Sequence, residues 1–136
     1  MRIEPAASLD GHFAVPGDKS ISHRALLLGA VSDGVTTVRG FGRGGDTEST
    51  LAAVRSLGAR VDDEGDELIV HGVGLRGLQS ATIDCGNAGT LARLIVGLLA
   101  FQDGTFTLTG DESLSARARS RSSCPRRRDR PGEWPT

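Results

Sequence analysis

Residues 16–24 read PGDKSISHR, and this stretch predicts a helix that begins directly after a Pro-Gly break. The free backbone N–H groups at a helix start carry a partial positive charge. Lys19 lies at that end, and Ser20 and Arg24, four residues apart, share a helical face. An ammonium, a hydroxyl and a guanidinium around one helix start suit a small anion, and phosphate is the natural ligand. Because Lys19 is the one lysine beside fifteen arginines, the position indicates a need for a compact point charge.

The composition predicts an acidic domain followed by a basic tail. A chain of 136 residues fits one ordinary domain, and with 38% hydrophobic but 4% aromatic residues its core must rest on aliphatic side chains. Residues 1–115 carry nine basic and fifteen acidic side chains, a net charge of −6. Residues 116–136 carry seven arginines against two acidic residues, a net charge of +5. This segment contains no Ile, Leu, Val, Phe or Met, so it cannot bury enough surface to order itself.

The remaining composition gives expectations about location and about isolated polar residues. The two cysteines, Cys85 and Cys124, form no disulfide framework and have no metal-ligand spacing. Without a signal-peptide pattern or an apolar run long enough to span a bilayer, we expect a reducing, cytoplasmic location and no membrane partner. Cys85 is expected to be a small packing residue. His12, His23 and His71 lack ligand spacing and are expected at surface or capping positions.

Hydrophobic periodicity predicts one β-α-β-α-β-β unit and a second unit that stops after β-α-β. The predicted elements are a strand at 12–15, a helix at 19–31, a strand at 35–39, a helix from 46 or 47 to 57, a hairpin of 60–63 and 67–71, a strand at 82–84, a helix from 88 to 101 and a strand at 105–109. Because a repeat needs neighbours to cover its apolar faces, we expect the first and third helices to leave apolar surface exposed.

The same pattern predicts how each helix begins and which face it buries. Asp18, either Asp46 or Thr47, and Asn87 are the predicted N-caps, and Gly58 is predicted to end the second helix. The residues predicted to face inward are Ile21, Ala25 and Leu28 in the first helix, Leu51, Val54 and Leu57 in the second, and Leu91, Leu94, Ile95, Leu98 and Leu99 in the third.

Three motifs carry a resemblance to a known family. Residues 16–30 read PGDKSISHRALLLGA, residues 84–94 read DCGNAGTLARL, and residues 110–117 read GDESLSAR. In order and spacing they resemble the N-terminal motifs of 5-enolpyruvylshikimate-3-phosphate synthase, the family of 3-phosphoshikimate 1-carboxyvinyltransferases. The resemblance covers roughly residues 1–117 and is lost at Ala118, inside the third motif. An abrupt change of this kind is typical of a reading-frame shift.

The resemblance implies an α/β fold of enolpyruvyl transferase-like repeats, each β-α-β-α-β-β. The chain would hold about one and a half of six such units, as part of an inside-out α/β barrel lobe. We therefore expect residues 1–115 to form a partial enolpyruvyl transferase domain and residues 116–136 to form a disordered Arg-rich tail.

The resemblance also implies roles for single residues. Lys19, Ser20 and Arg24 would contact shikimate 3-phosphate, and Lys19 would be a catalytic residue that also reaches phosphoenolpyruvate. Glycines near a helix start let an anion approach backbone N–H groups, because no Cβ stands in the way. The residues expected at phosphoenolpyruvate are Lys19, Gly89 and Arg117, with Asn87 and Arg93 as further candidates beside that pocket.

The reaction that the resemblance implies moves the carboxyvinyl group of phosphoenolpyruvate to the 5-hydroxyl of shikimate 3-phosphate and releases phosphate. It belongs to the shikimate pathway, which leads to chorismate and the aromatic amino acids. No metal or organic cofactor is implied, the partners are the two small substrates, and a full-length relative is expected to be monomeric. Because the resemblance covers only part of the family's fold, we expect no turnover from this chain alone.

A dinucleotide site is an alternative interpretation of one glycine cluster. Gly40, Gly42 and Gly45 spell G-x-G-x-x-G between a predicted strand and a predicted helix. Two features oppose this interpretation. Asp46 at the helix start would repel a pyrophosphate, and the strand at 35–39 alternates in polarity, unlike a central parallel strand.

Two further functions stay open on the sequence. The chain could be a non-catalytic module that binds a phosphorylated ligand through Lys19 and Arg24. Alternatively, the Arg-rich tail could associate with nucleic acid, although Trp134 is its one aromatic residue and stacking needs more.

Overall fold

The computed structural model describes residue 8 and residues 10–121, with side chains as far as Ala116. Within this part of the chain two α/β units follow one another, and none of the helices is long and apolar enough to cross a membrane. The elements are α1 (Lys19–Ala30), β1 (Asp33–Arg39), α2 (Gly45–Ser56), β2 (Arg60–Asp63), β3 (Glu67–Val73), β4 (Thr82–Asp84), α3 (Gly89–Leu99), β5 (Thr107–Thr109) and α4 (Glu112–Arg121).

The strands form two small sheets. In the first unit β1, β3 and β2 lie side by side in that order, and both pairs are antiparallel. The predicted hairpin is confirmed as β2 and β3, with Val61 opposite Val70. In the second unit β4 and β5 are parallel, with Ile83 opposite Leu108, and α3 forms the crossover between them.

The core lies where α1 and α2 cover the first sheet and α3 packs against both helices. Fully buried aliphatic side chains come from every layer, including Leu26, Val54, Leu68, Leu91 and Ile95. The predicted inward residues of α2 and the buried trio of Leu91, Ile95 and Leu99 in α3 are confirmed. Cys85 is also buried, as expected of a packing residue, and burial raises the pKa of its thiol, with a smaller contribution from Asp84.

The predicted inward face of α1 is wrong. Ile21 is 66% exposed and Leu28 is 65% exposed, whereas Leu26 is fully buried. The apolar spacing of Ile21, Ala25 and Leu28 is real, but α2, α3 and the sheet cover the neighbouring face. That face also carries Ser22 and His23, which find hydrogen-bond partners there. His23, which was expected at a surface or capping position, therefore lies in the interface.

The start of each helix shows where capping follows local chemistry. The Asp18 carboxylate accepts a hydrogen bond from the Ile21 N–H at 2.7 Å, so this predicted cap is confirmed. Helices α2 and α3 instead begin after Gly44 and Ala88, without a side-chain cap, so the predicted caps Asp46, Thr47 and Asn87 are wrong. Ahead of α3 a backbone turn takes over, because the N–H of Ala88 donates to the carbonyl oxygen of Cys85 at 2.8 Å.

Two other predictions fail at the borders of the fold. Residues 12–15 form no strand, because no described strand lies beside them to pair with their backbone. The second unit does not stop after β-α-β, since α4 follows its second strand and Asp111 caps α4 by accepting from the Leu114 N–H at 2.7 Å.

Helix α4 also bears on the predicted tail. It continues to Arg121, so the first six residues of the segment 116–136 are helical, contrary to the expected disorder. Residues 122–136 lie outside the described residues. The division at 115, and nucleic-acid association through the tail, stay predictions.

Substituting two leucines of α1 tests its observed orientation. Leu26→Ala removes a fully buried side chain and should lower the free energy of unfolding by about 2–5 kcal/mol. Leu28→Ala, the matched control, removes an exposed side chain and should change it by less than about 0.5 kcal/mol. Urea denaturation followed by circular dichroism measures both. A larger loss for Leu28→Ala would mean that the predicted face of α1, rather than the observed one, is buried.

Candidate anion-binding site

The first two turns of α1 present the three residues predicted to bind a phosphate. Lys19, Ser20 and Arg24 are all exposed. The ammonium group of Lys19 forms an ion pair with the carboxylate of Asp46, in the first turn of α2. The negative side chain at the start of α2 therefore balances the cation at the start of α1, a pairing that the sequence analysis did not predict.

A close backbone crossing places the start of α1 against the loop ahead of α2. A Cβ on Gly17 would lie 1.9 Å from the carbonyl oxygen of Gly40, and a Cβ on Gly42 would lie 2.4 Å from the carbonyl oxygen of Gly17. Real Cβ atoms do not approach this closely, so the crossing requires glycine at both positions. This requirement gives the Pro-Gly of the first motif a structural role.

Two hydroxyl groups fix the same loop from both helices. Ser22 Oγ donates to the carbonyl oxygen of Asp18 at 2.8 Å and accepts from the Gly42 N–H at 2.9 Å. Thr47 Oγ1 lies 2.7 Å from the carbonyl oxygen of Gly42 and 3.0 Å from that of Gly44. The loop is thus bonded to both helices rather than held by one.

An open cleft of about 630 Å³ lies between these segments. Residues 15–17, Lys19 and residues 40–47 line it. Lys19 is the predicted site residue in its wall, whereas Ser20 and Arg24 lie on the adjoining surface of α1. The cleft therefore places two cationic side chains, Lys19 and Arg43, beside the exposed backbone of a glycine-rich loop.

The other two motifs converge on the first turns of α2. A Cβ on Gly86, in the second motif, would lie 3.5 Å from Ser49 Oγ, one turn after Asp46. The carbonyl oxygen of Gly86 accepts from the N–H of Asp111, in the third motif, at 3.0 Å. The three motifs, far apart in sequence, are therefore joined through α2.

This convergence brings together the N-terminal ends of all four described helices, and each end carries partial positive charge. An aspartate lies at the cap or in the first turn of three of these helices, and a fourth aspartate lies in the loop before α3. Asp84 accepts from the Gly86 N–H at 2.8 Å in the loop before α3. The four aspartates are Asp18 before α1, Asp46 in the first turn of α2, Asp84 before α3 and Asp111 before α4.

The residues expected at phosphoenolpyruvate lie around α3 and α4. Gly89 is the first residue of α3 and is buried, and Arg93 is exposed one turn later. Asn87 is exposed in the turn before the helix. Arg117 belongs to α4, but its side chain lies outside the described residues.

The dinucleotide interpretation of Gly40, Gly42 and Gly45 does not fit the fold. A dinucleotide fingerprint follows a central strand of a parallel sheet. Here the preceding strand, β1, lies at the edge of its sheet, and among the described strands it pairs with antiparallel β3 alone. Within the described residues no cluster of three or more histidine, cysteine or acidic side chains could hold a metal ion.

Sequence reasoning misplaced one histidine of this region. His23 is fully buried between α1 and α2, and its Nδ1 lies 2.6 Å from Thr50 Oγ1. Burial lowers the pKa of its imidazole, Lys19 lowers it further, and Asp46 opposes both. The signal was present, because residues 23, 26, 27 and 30 share a face that Leu26 marks as apolar. His12 is exposed and His71 is half-buried, bonded to Asp62 at 2.8 Å.

Comparison with known proteins identifies the family. The family described as EPSP synthase (3-phosphoshikimate 1-carboxyvinyltransferase) matches residues 3–120. The chain belongs to the EPSP synthase family.

Relatives and solved structures agree with this assignment. The chain is 53% identical over 121 residues to the 3-phosphoshikimate 1-carboxyvinyltransferase of Pelobacter propionicus, which covers 88% of the chain and 28% of that relative. It is 52% identical over 124 residues to the protein of the same name from Synechococcus sp. (strain WH7803), with the same two coverages. It resembles the structure of EPSP synthase from Acinetobacter baumannii with a TM-score of 0.74 and 44% identity, over 79% of this chain and 25% of that one.

These comparisons confirm the expected α/β fold of EPSP synthase-like repeats. They also show that the chain spans about 28% of the length of the curated relatives it matches.

The backbone crossing can be tested with two glycine substitutions. Gly17→Ala places a methyl group against the Gly40 carbonyl and should lower the free energy of unfolding by about 1–3 kcal/mol, because the loop must shift. Gly11→Ala adds the same methyl group where no atom of the described residues lies within 4 Å, and it should have almost no effect. Denaturation curves of the two variants decide the matter. Equal stability would show that residues 16–18 do not cross the loop as described.

Proposed function

We propose that this chain forms the shikimate 3-phosphate-binding part of a 3-phosphoshikimate 1-carboxyvinyltransferase. One observation carries the proposal, namely that three family-like motifs distant in sequence meet at one end of the molecule. In this proposal Lys19, Ser20 and Arg24 bind the phosphate of shikimate 3-phosphate. Their ammonium, hydroxyl and guanidinium groups supply the charge-assisted hydrogen bonds that a phosphate prefers.

Lys19 has the donors for a dual role. Its ammonium group carries three N–H donors, of which the ion pair with Asp46 needs one. The remaining donors can reach the two substrates at once, and this makes Lys19 the candidate catalytic residue. Two like charges 4 Å apart repel by about 4 kcal/mol near a protein surface, so a shared cation lowers the cost of holding two anions together.

Phosphoenolpyruvate would bind where α3 and α4 begin. Gly89 would let the ligand approach backbone N–H groups, and Arg117 would pair with its carboxylate or phosphate. Arg93 and Asn87 are the further candidates at this end of α3. The hydrogen bond between Asp111 and Gly86 supports this grouping, because it ties the start of α4 to the loop before α3.

The complete reaction would join the carboxyvinyl group of phosphoenolpyruvate to the 5-hydroxyl of shikimate 3-phosphate through a tetrahedral intermediate, with loss of phosphate. Such a reaction needs both anions held side by side and water excluded. This chain has an exposed Lys19, Ser20 and Arg24, and it spans about 28% of its relatives. We therefore assign ligand binding, rather than turnover, to the chain by itself.

A titration with shikimate 3-phosphate tests the binding role. Lys19→Ala removes a charge-assisted hydrogen bond of about 1.5–3 kcal/mol and should weaken affinity by roughly 10- to 100-fold. Arg76→Ala removes an exposed cation whose nearest acidic partner, Asp103, is 4.0 Å away, and it should leave affinity unchanged. Isothermal titration calorimetry measures both constants. Equal losses would mean that binding depends on overall charge and not on this site.

A second measurement separates binding from catalysis. The purified 136-residue chain, mixed with shikimate 3-phosphate and phosphoenolpyruvate, should release no phosphate above background, although it binds the first substrate. Phosphate release that disappears in Lys19→Ala would show that this chain is by itself an enzyme, and the binding-only assignment would then be wrong.

A further inference from the structure

We infer that His23 and Thr50 are positioning residues, which hold Lys19 opposite Asp46 through a hydrogen bond donated by the imidazole Nδ1–H. Their part in ligand binding rests on the proposed function. Their part in aligning α1 with α2 does not, because it concerns contacts within the chain.

Two matched pairs of residues lie at the interface of α1 and α2. Lys19 and His23 are four residues apart on α1, and Asp46 and Thr50 are four residues apart on α2. Residues with this spacing lie one above the other on a helix. Lys19 pairs with Asp46, and one turn further on His23 Nδ1 lies 2.6 Å from Thr50 Oγ1. A slide or rotation of either helix would therefore disturb both pairs together.

The two pairs differ in how firmly they can be held. The ion pair between Lys19 and Asp46 is largely exposed, and an exposed ion pair contributes little to holding two long side chains in one geometry. The pair of His23 and Thr50 is fully buried, where water cannot compete for the hydrogen bond. The buried pair is therefore the one that can fix the alignment on which the exposed pair depends.

The hydrogen-bond pattern selects one tautomer of His23. Thr50 Oγ1 lies 3.3 Å from the carbonyl oxygen of Asp46, one turn earlier, which is the usual acceptor for a helical threonine. A hydroxyl has one proton to donate. If Thr50 donates it to the carbonyl oxygen of Asp46, its oxygen must accept a hydrogen bond from His23, which then carries its proton on Nδ1. The buried Nε2 has no hydrogen-bond partner among the described residues.

The unsatisfied Nε2 also indicates that His23 does more than fill space in the core. An unsatisfied buried polar atom is a cost that a leucine at this position would avoid. A proton added to Nε2 would be buried without an acceptor, so the neutral form is favoured. The charged groups that act on the ring are Lys19 on α1 and Asp46 on α2, whereas α3, β1 and β3 contribute none among the described residues.

The first test reads His23 directly in the wild-type chain. Long-range ¹H–¹⁵N correlation spectra should show the Nδ1–H tautomer and a pKa below 6.5. The unfolded chain takes up the proton near pH 6.5 while the folded chain does not, so stability should fall as pH drops below about 6.5. An Nε2–H tautomer, or an imidazole that titrates at 6.5 or above, would overturn the inference.

The second test uses Thr50. Thr50→Ser keeps the hydroxyl and Thr50→Val replaces it with a methyl group, while Thr37→Val makes the latter change on the exposed face of β1 as a matched control. In the wild type, Lys19→Ala should shift the ¹³C resonance of the Asp46 carboxyl group. Lys19→Ala should cause the same shift when it is combined with Thr50→Ser or Thr37→Val. Combined with Thr50→Val it should cause none, because without the Thr50 hydroxyl the helices no longer align Lys19 with Asp46. A shift of equal size in all four backgrounds would overturn the inference.

A ligand titration then separates this inference from the proposed function. Thr50→Val should weaken shikimate 3-phosphate binding about five- to tenfold, and Thr50→Ser should restore it. If Lys19→Ala weakens binding but Thr50→Val does not, the positioning role is wrong and the proposed function stands. If Lys19→Ala has no effect on binding, the proposed function is wrong, and the carboxyl shifts alone decide whether His23 and Thr50 align the pair.

Discussion

The four helices of the described residues begin at one end of this part of the chain, and their starts concentrate positive charge there. Aligned peptide dipoles place about half a positive charge at each helix start. Repulsion between such ends would separate the helices unless acidic groups offset it. Asp18, Asp46 and Asp111 do so within the first turns or at the caps, and Asp84 bonds the loop before α3. The acidic balance of residues 1–115 is therefore consistent with an anion-binding end.

Small residues let the segments at this end approach one another. The crossing of Gly17 and Gly42 brings two backbones together where any side chain would separate them. The hydroxyl groups of Ser22 and Thr47 then take up the backbone groups that the crossing leaves without a helical or sheet partner. The position of Lys19 thus depends on the loop of another element and not only on the helix that carries it.

The sequence predicted what is decided locally and missed what neighbouring elements decide. The hairpin of β2 and β3, the inward face of α2 and the cap Asp18 depend on residues a few positions apart, and they were predicted correctly. The buried face of α1 depends on what covers it, and a visible apolar stripe through Ile21 and Leu28 pointed to the wrong side. Lys19, Ser20 and Arg24 could be found by their motif because they lie within six residues of one another. Their pairing with α2 could not be found in this way. Lys19 and Asp46 are 27 residues apart in sequence, as are His23 and Thr50, so both contacts needed the structure.

The ion pair between Lys19 and Asp46 suggests how a ligand would be selected. Any anion that binds the ammonium group must be compatible with a carboxylate already beside it. A singly charged anion would add little to the charge that Asp46 already provides. In the proposed binding mode, a phosphate dianion would engage both Lys19 and the guanidinium of Arg24. Screening limits such effects to about 8 Å at physiological salt, so cations close to a bound ligand outweigh the net negative charge of the surrounding domain. An acidic protein can in this way bind a doubly charged ligand at one end, provided that its few cations are held in register by contacts that water does not reach.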